Sequence, residues 1–578
     1  MKEFDLIIAE KPKAAEKIAR ALSNGKYKVY KNGNFKFYEF DNYRVVAAIG
    51  HLFKLDTKNK VWNYPTFEAY WFPSSKEVKK YISIFKNVCE NCRNVIIATD
   101  YDIEGDVIGY NILRFLLKRN NAFRAKFSAL TESEIKKAFS NLMKSLDFGQ
   151  VYAGLTRHYL DFFWGINLTR ALTRITNNGR IISCGRVQTP TLNLILEREN
   201  EIRNFVPKDF WVIKALLDKN GEKFSAEYIE GRIFEKEKAF NIYEECKKAK
   251  EVVIESIETK KIKIKPLPPF DLTSLQSEAY KFFRFSPSKT LKIAEELYLD
   301  GYITYPRTSS QKMPVGINLK EILNSLIRIR EYYEYVSKIL RKKELRFIEG
   351  KKEDPAHPAI IPTGKIPFKL KNEQEKIYDL IARRFMNCFY DDLIIVEQKI
   401  IFKINDHKFI SVGKSIVNNG WSEVYEKKIR ENLIPKIDYN DKIFLIDIKI
   451  LKDSTKPPKR YNLSELVKTM ESLKLGTKAT RAEIIETLFR RNFISGKKTI
   501  EITKMGETLI SVLKQIVPII TSVEMTRKFE EYMEGIMNGK IEMEKVLNEA
   551  KKIIVNVIEE IENRKEEIRK NFNKALTH

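Results

Sequence analysis

A stretch beginning at residue 271, "DLTSLQSEAYKFFRFSPSKTLKIAEELYLDGYITYPRT", aligns without a gap to one beginning at 462, "NLSELVKTMESLKLGTKATRAEIIETLFRRNFISGKKT". Leu275 meets Leu466, Ser286 meets Thr477, Ile293 meets Ile484, Leu297-Tyr298 meets Leu488-Phe489, and Tyr302-Ile303-Thr304 meets Phe493-Ile494-Ser495. Each copy reads as two helices joined by a short turn and followed by a β-like run, the layout of a winged helix-turn-helix. Unrelated amphipathic helix pairs look alike over a turn or two, but they do not keep one register over this length. Tyr305 of the first copy stands against Gly496 of the second. The tyrosine is therefore an addition to the module, not something its fold requires. Pro306 pushes Tyr305 toward an extended backbone, which puts Tyr305 and Arg307 on one side and Tyr302 and Thr304 on the other. A phenol titrates at about pH 10, so it becomes a nucleophile at neutral pH only with electrostatic help. An arginine beside it can stabilise phenolate or hold the phosphate it attacks; a packed core tyrosine with a surface arginine is the alternative.

Two other stretches read as a buried strand running into a helix. In "FDLIIAEKPKAAEKIARAL" the apolar run Leu6 to Ala9 ends at Glu10, Pro12 suits a first helical turn, and Ala15, Ile18, Ala19 and Leu22 recur at helical spacing. In "NVIIATDYDIEGDVIGYNILRFL" the strand Val95 to Thr99 leads into Asp100, Asp102 and Glu104. Ligands of open α/β sheets collect beyond the carboxyl ends of parallel strands, so Glu10 and these three acids are expected to converge there. Four carboxylates together need a cation, and oxygen-only ligation favours magnesium held partly through water and substrate phosphate. The spacing by itself also fits a solvated acidic loop.

At 578 residues the chain exceeds one core, and about four domains are expected. Lys and Arg outnumber Asp and Glu by 104 to 77, a net +27 that favours a polyanionic partner, nucleic acid first, although a solvated Lys/Glu surface fits the same balance. No apolar run approaches the ~18 residues of a membrane span, and the N-terminus reads as a buried strand rather than a signal peptide, so no membrane association and a cytoplasmic location are expected. Five cysteines give one C-x-x-C, Cys89 and Cys92, with no second pair at zinc spacing, so no zinc is expected. "VGKS" at 412–415 lacks the earlier glycine of a nucleotide-binding loop, with Lys408 in its place, so no ATP use is expected. After residue 150 the chain turns helical, with Arg157, Asp161 and Asn167 near helical spacing, then Arg186, Gln188 and Thr189 before Pro190. Arginines and amides at helix starts suit phosphate contacts, and buried structural pairs suit them equally. Short β-like runs at about 207–265 and 391–454 read as one domain interrupted by the Tyr305 segment.

Together these residues resemble a type IA DNA topoisomerase over essentially the whole chain, closest in motif detail to the topoisomerase III-like members. "IAEKP" with Glu10 and Lys11, "GHL" at 50–52, the TOPRIM-type "DYDIEGD", "NLTRAL", "GRVQTP", "FDLTSLQ", "GYITYPRT", "HPAIIPT" with His357, "EQEKIYDLIARRF" and "PPKRYNLSELVKTME" carry the resemblance, in order and spacing. It implies a multidomain α/β, α and β ring. The expected parts are a TOPRIM domain at 1–150, a helical DNA-binding gate from 151–206 and 455–578, a β-rich arch or hinge from 207–268 and 391–454, and a nucleophile domain at 269–390. It implies that Tyr305 attacks single-stranded DNA to form a 5′-phosphotyrosyl bond, that Arg307 steadies the phosphate, and that Glu10 protonates the leaving 3′ oxygen with Lys11 beside it. Asp100, Asp102 and Glu104, with Glu10, would hold Mg2+, and His357 would support the site. Arg157, Asp161, Arg170, Arg186, Gln188, Thr480 and Arg481 would contact DNA. Strand passage and religation would need no ATP and would relax negative supercoils or decatenate DNA, in a monomer with a possible helicase partner, beside the chromosome of a prokaryote.

Ile103 and Asp106 depart from the family's D-x-D-R-E-G-E pattern, as do His158, Tyr159 and Phe162 from the polar, basic or tryptophan residues of relatives. The charge around the metal and the base preference at the cleavage site are expected to differ accordingly. The Lys/Glu-rich C-terminal stretch carries no cysteine knuckles, where many relatives append zinc ribbons, so weaker duplex engagement is expected. Two other readings share some of these parts: the topoisomerase subunit of a split reverse gyrase, and a TOPRIM metal-dependent nuclease, which would not need Tyr305.

Overall fold

A computed structural model describes residues 3–58, 61–177, 179, 181–249, 251–425 and 431–576. Its N-terminal part is built on a six-stranded sheet in the order Lys28–Asn32, Phe35–Phe40, Tyr43–Ala47, Phe4–Ala9, Cys92–Ala98, Phe123–Arg124. The strand Phe4–Ala9 lies parallel to both neighbours, with Ile7 opposite Val45 on one side and Ile96 on the other. Burial on both faces explains the unbroken apolar runs of these strands, since Leu6 to Ala9 have no exposed surface. Ala9 pairs with Ala98, so the two strands end side by side and deliver Glu10 and Asp100 to one edge of the sheet. Helix Pro12–Leu22 covers one face through Ala15, Ile18 and Ala19, with Pro12 in its first turn as expected.

Helix Ile103–Ile112 is buried almost all round, between the sheet and the 29-residue helix Phe148–Thr176. Gly105 allows this close approach. A Cβ there would lie 2.0 Å from the Asp100 carbonyl oxygen, and one on Gly154 would lie 2.7 Å from the Ile103 side chain. Ile103 thus packs against the long helix, where an arginine would have to turn away.

Both copies of the repeat form the expected helix pairs, Leu272–Phe283 with Pro287–Leu299 and Leu463–Ser472 with Arg481–Arg490. They begin identically, with capping boxes at matching positions, Asp271 with Ser274 and Asn462 with Glu465. The copies differ after the turn. Ser286 caps its helix directly, whereas the matching Thr477 hydrogen-bonds Thr480 and the second helix starts only at Arg481. The wings differ too: Ile494–Ser495 pairs with nearby Glu501–Ile502, but Ile303 bridges to distant Pro362. The two copies lie against each other, with the Ser277 and Ser464 hydroxyls 2.7 Å apart.

The β-like stretches around the Tyr305 segment join in one antiparallel six-stranded sheet, ordered Val252–Ile264, Leu393–Ile404, His407–Asn418, Glu222–Tyr228, Asp209–Lys219, Phe444–Ser454. Helix Lys236–Lys247, absent from the sequence reading, packs on it through Ala239, Ile242 and Cys246. One apolar core runs without a break from Ile7, Ala15 and Ile18 of the first sheet to Leu297, Tyr298 and Tyr305. Among the described residues no helix is long and apolar enough to cross a membrane.

Candidate active site

Tyr305 reaches the sheet edge from the first repeat copy. Its backbone N–H donates to the Ser128 carbonyl at 2.8 Å, and its phenol Oη donates to Asp102 Oδ2 at 2.6 Å. Asp102 is itself fixed, because its Oδ1 accepts from the Gly105 N–H at 2.8 Å as the N-cap of helix Ile103–Ile112. Tyr298, the next-to-last residue of helix Pro287–Leu299, donates to Asp100 Oδ1 at 3.2 Å. Asp100 in turn accepts from Lys11 Nζ at 3.5 Å, and its N–H donates to Glu10 Oε2 at 3.3 Å.

Three carboxylates and two phenols are therefore crowded in a buried space. Burial, with Asp100 and Asp102 nearby, pushes Glu10 up to about 8. Burial also raises Asp100, although Lys11 pulls it back down. Lys11 is held charged above its usual range by Asp100 and Glu10 against its own burial. Tyr305 is driven well above the usual phenol range by burial and then by Asp102 and Asp100, with Arg307 only partly opposing. Of the two roles open to Arg307, stabilising phenolate finds no support in this arrangement, and steadying the phosphate is left untouched by it. Arg307 is ion-paired with Glu295 at 2.6 Å, and the carboxylates outweigh it. The phenol stays protonated and is aimed at a base.

Glu104 departs from the expected convergence. Its Oε1 accepts from Arg157 at 2.5 Å, and its Oε2 lies 2.9 Å from His51 Nε2 and 3.1 Å from His158 Nε2. Against burial, Arg157 and then the two imidazoles hold the carboxylate well below its usual range. The structure brings Glu10, Asp100 and Asp102 together and turns the Glu104 carboxylate to Arg157, His51 and His158. Asp106 lies in neither place. It is fully buried and paired with buried Arg124 at 2.7 Å, whose other nitrogens donate to the carbonyls of Thr99 at 2.7 Å and Asp100 at 2.8 Å. This pair braces the turn that presents the acids. Burial pushes Asp106 up to about 6, with Arg124 pulling the other way.

His357 stands with its ring 4.4 Å from that of Tyr305. Its Nε2 lies 2.9 Å from the Tyr101 carbonyl, which can only accept, so Nε2 carries the proton and Nδ1 accepts from Ser128 Oγ at 3.0 Å. Burial, then Lys478, lowers it to about 4, so the ring is neutral. It joins the Tyr305 segment to the acid loop as a hydrogen-bonded strut.

Of the residues expected to contact DNA, Arg157, Asp161, Arg186, Gln188 and Thr480 line one open cleft. Arg481 lines the adjoining one with Asp102, Lys478 and, again, Arg157. Arg186 is buried between Asp161 at 3.0 Å and Glu530 at 2.9 Å, so it shapes the cleft wall. Arg170 lies in neither of these two clefts. It is buried and donates to the Asn63 carbonyl at 2.9 Å and Thr57 Oγ1 at 3.3 Å, tying down a loop rather than facing a cleft. Tyr298, Ser128 and Lys478 were missed. Tyr298 had a signal of the kind that marked Tyr305, since the second copy carries Phe489 in its place.

A tyrosine carried on a helix-turn-helix module and docked into a strand-end acid cluster agrees with what comparison finds. A family model described as DNA topoisomerase matches residues 145–548, and one described as Toprim domain matches residues 5–130. A relative named DNA topoisomerase 1 from Pyrococcus horikoshii is 43% identical, over 97% of this chain and 85% of its own. Another of that name from Methanocaldococcus jannaschii is 41% identical, over 97% of this chain and 75% of its own. The structure of full-length topoisomerase I from Thermotoga maritima matches with a TM-score of 0.75 at 26% identity, covering 96% of this chain and 90% of that one. The chain belongs to the type IA DNA topoisomerase family, and it is an isomerase that acts on DNA. The topoisomerase III-like affinity expected from motif detail has no counterpart in these names.

Proposed function

We propose that this chain cleaves one DNA strand by direct attack of Tyr305 and reseals it without ATP. The observation that carries this reading is the 2.6 Å hydrogen bond from the Tyr305 phenol to Asp102, which joins residues 203 positions apart. As the Tyr305 oxygen bonds to phosphorus, its proton passes to Asp102. The bond from phosphorus to the 3′ oxygen breaks, and Glu10, protonated at neutral pH because burial has raised it, supplies the proton that oxygen needs. Lys11 and Arg307 are placed to balance phosphate charge. Religation runs the same transfers backward, and the phosphotyrosyl bond keeps the energy of the phosphodiester. Tyr305 is buried, so a strand must pass in between it and the acids to be attacked, which a slim single strand does more readily than a duplex.

The donor set fits a hard divalent cation. Glu10, Asp100 and Asp102 offer oxygen only, and burial, with Asp102 adding to it, raises Asp100, a cost that a positive charge beside it relieves. Magnesium held by Asp100 and Asp102, with Glu10 beside it as the protonated acid, would neutralise charge developing on the phosphate oxygens. Relaxation of negatively supercoiled plasmid tests the reading. Activity should require Mg2+, be indifferent to ATP, and vanish in Tyr305→Phe; relaxation by that variant would refute it.

A further inference from the structure

Among the described residues the one trio of His, Cys, Asp or Glu side chains whose ligand atoms all lie within 4.8 Å of one another is not the acid cluster but His51, Glu104 and His158. We infer that these three form a second cation site, built for a borderline transition ion of the zinc class and not for magnesium. Bonds of about 2.0–2.1 Å in a tetrahedral site place neighbouring ligand atoms roughly 3.3 Å apart. The two imidazole nitrogens already stand 2.9 and 3.1 Å from Glu104 Oε2, so a small outward shift admits an ion. Two nitrogens and one carboxylate oxygen leave a fourth position open, and both imidazoles are partly exposed, so solvent or a phosphate oxygen can fill it.

The surroundings select the ion. Arg157 holds Glu104 Oε1, which fixes the carboxylate plane as an outer-shell partner would and also cancels its negative charge. A hard ion that binds through charge gains little here, whereas imidazole lone pairs still serve a softer one. The Glu104 carboxylate accepts from His51 Nε2–H, so an ion entering there displaces that proton, and His51 Nδ1, buried with no hydrogen-bond partner, is placed to take it up as the ring changes tautomer. The cysteine spacing bears only on thiolate zinc sites and says nothing of this one. An ion bound here would also commit Glu104 away from Asp100 and Asp102.

Titrating the full chain with Co2+ in excess Mg2+ tests the assignment. The native protein should take up one ion with the strong visible absorption of four-coordinate, nitrogen-ligated cobalt. His51→Gln and His158→Gln should each weaken uptake at least as much as the roughly 10–100-fold that loss of an outer-shell partner costs. X-ray absorption on the native protein loaded with Zn2+ needs no variant and should count two imidazoles. An all-oxygen cobalt spectrum, displacement by Mg2+, or unchanged uptake in both variants would overturn the site. Uptake lost in Asp100→Asn but kept in both histidine variants would assign the ion to the acid cluster, and would leave the cleavage mechanism standing.

Discussion

At the scale of single residues, the chemistry depends on carboxylates that the fold keeps from ionising freely. Glu10 sits at about 8 instead of 4.5, so between those pH values the folded protein holds a proton that the unfolded chain has released. Stability without metal should therefore fall as pH rises through that window, because the native state binds the more protons there. Denaturant melts across it should show the decline in native protein and a flatter profile in Glu10→Gln; equal slopes would refute the assignment. The same variant should lose about 10²–10⁴-fold in cleavage rate, the usual worth of a general acid. Tyr305, Glu10 and Asp100 were legible in the sequence because each sits at a strand end or stands out against a repeat partner. The position of Glu104 was not, since it is decided by His51, Arg157 and His158, which the chain brings in from other elements. Nor could the sequence separate Arg170, which ties a loop, from Arg157, which lines both clefts, as charge alone does not report burial.

At the scale of elements, the acid-bearing turn is only as firm as its brace. Asp106→Ala would leave the Arg124 guanidinium buried without its partner, at a cost of about 3–5 kcal/mol. Denaturant unfolding checks this, and a loss near the ~1 kcal/mol ceiling of exposed pairs would show the brace to be dispensable. Replacing both residues with apolar ones should recover stability but not cleavage, because the Asp100 carbonyl would still lack the donor that Arg124 provides. The repeat shows how far element-level reading reaches. The matching helix registers were read from local sequence; the matching capping boxes lie in the same stretches but were seen only in the structure. The opened first turn at Thr477–Thr480 and the wing that Ile303 borrows from Pro362 depend on distant packing, and no periodicity announces them.

At the scale of the whole molecule, the two repeat copies touch and Tyr305 sits against the acids, so on the proposed mechanism passing a strand would require separating the copies and lifting Tyr305. The contacts to be broken include Ser277 with Ser464, Lys478 with Asp354, and His357 with the Tyr101 carbonyl. On the same mechanism the long antiparallel sheet that flanks the Tyr305 segment in sequence would serve as the hinge. With the two hydroxyls 2.7 Å apart, Ser277→Cys combined with Ser464→Cys should form a disulfide. The oxidised protein should still cleave single strands yet fail to relax plasmid, and reduction should restore relaxation; relaxation by the locked form would place the gate elsewhere. The central claim is that Tyr305 itself takes the broken end. An end-labelled single-stranded oligonucleotide, incubated with Mg2+ and quenched in denaturant, measures this directly. A covalent adduct on the 5′ phosphate that disappears in Tyr305→Phe is the predicted result, and cleavage that persists in that variant without any adduct would contradict it.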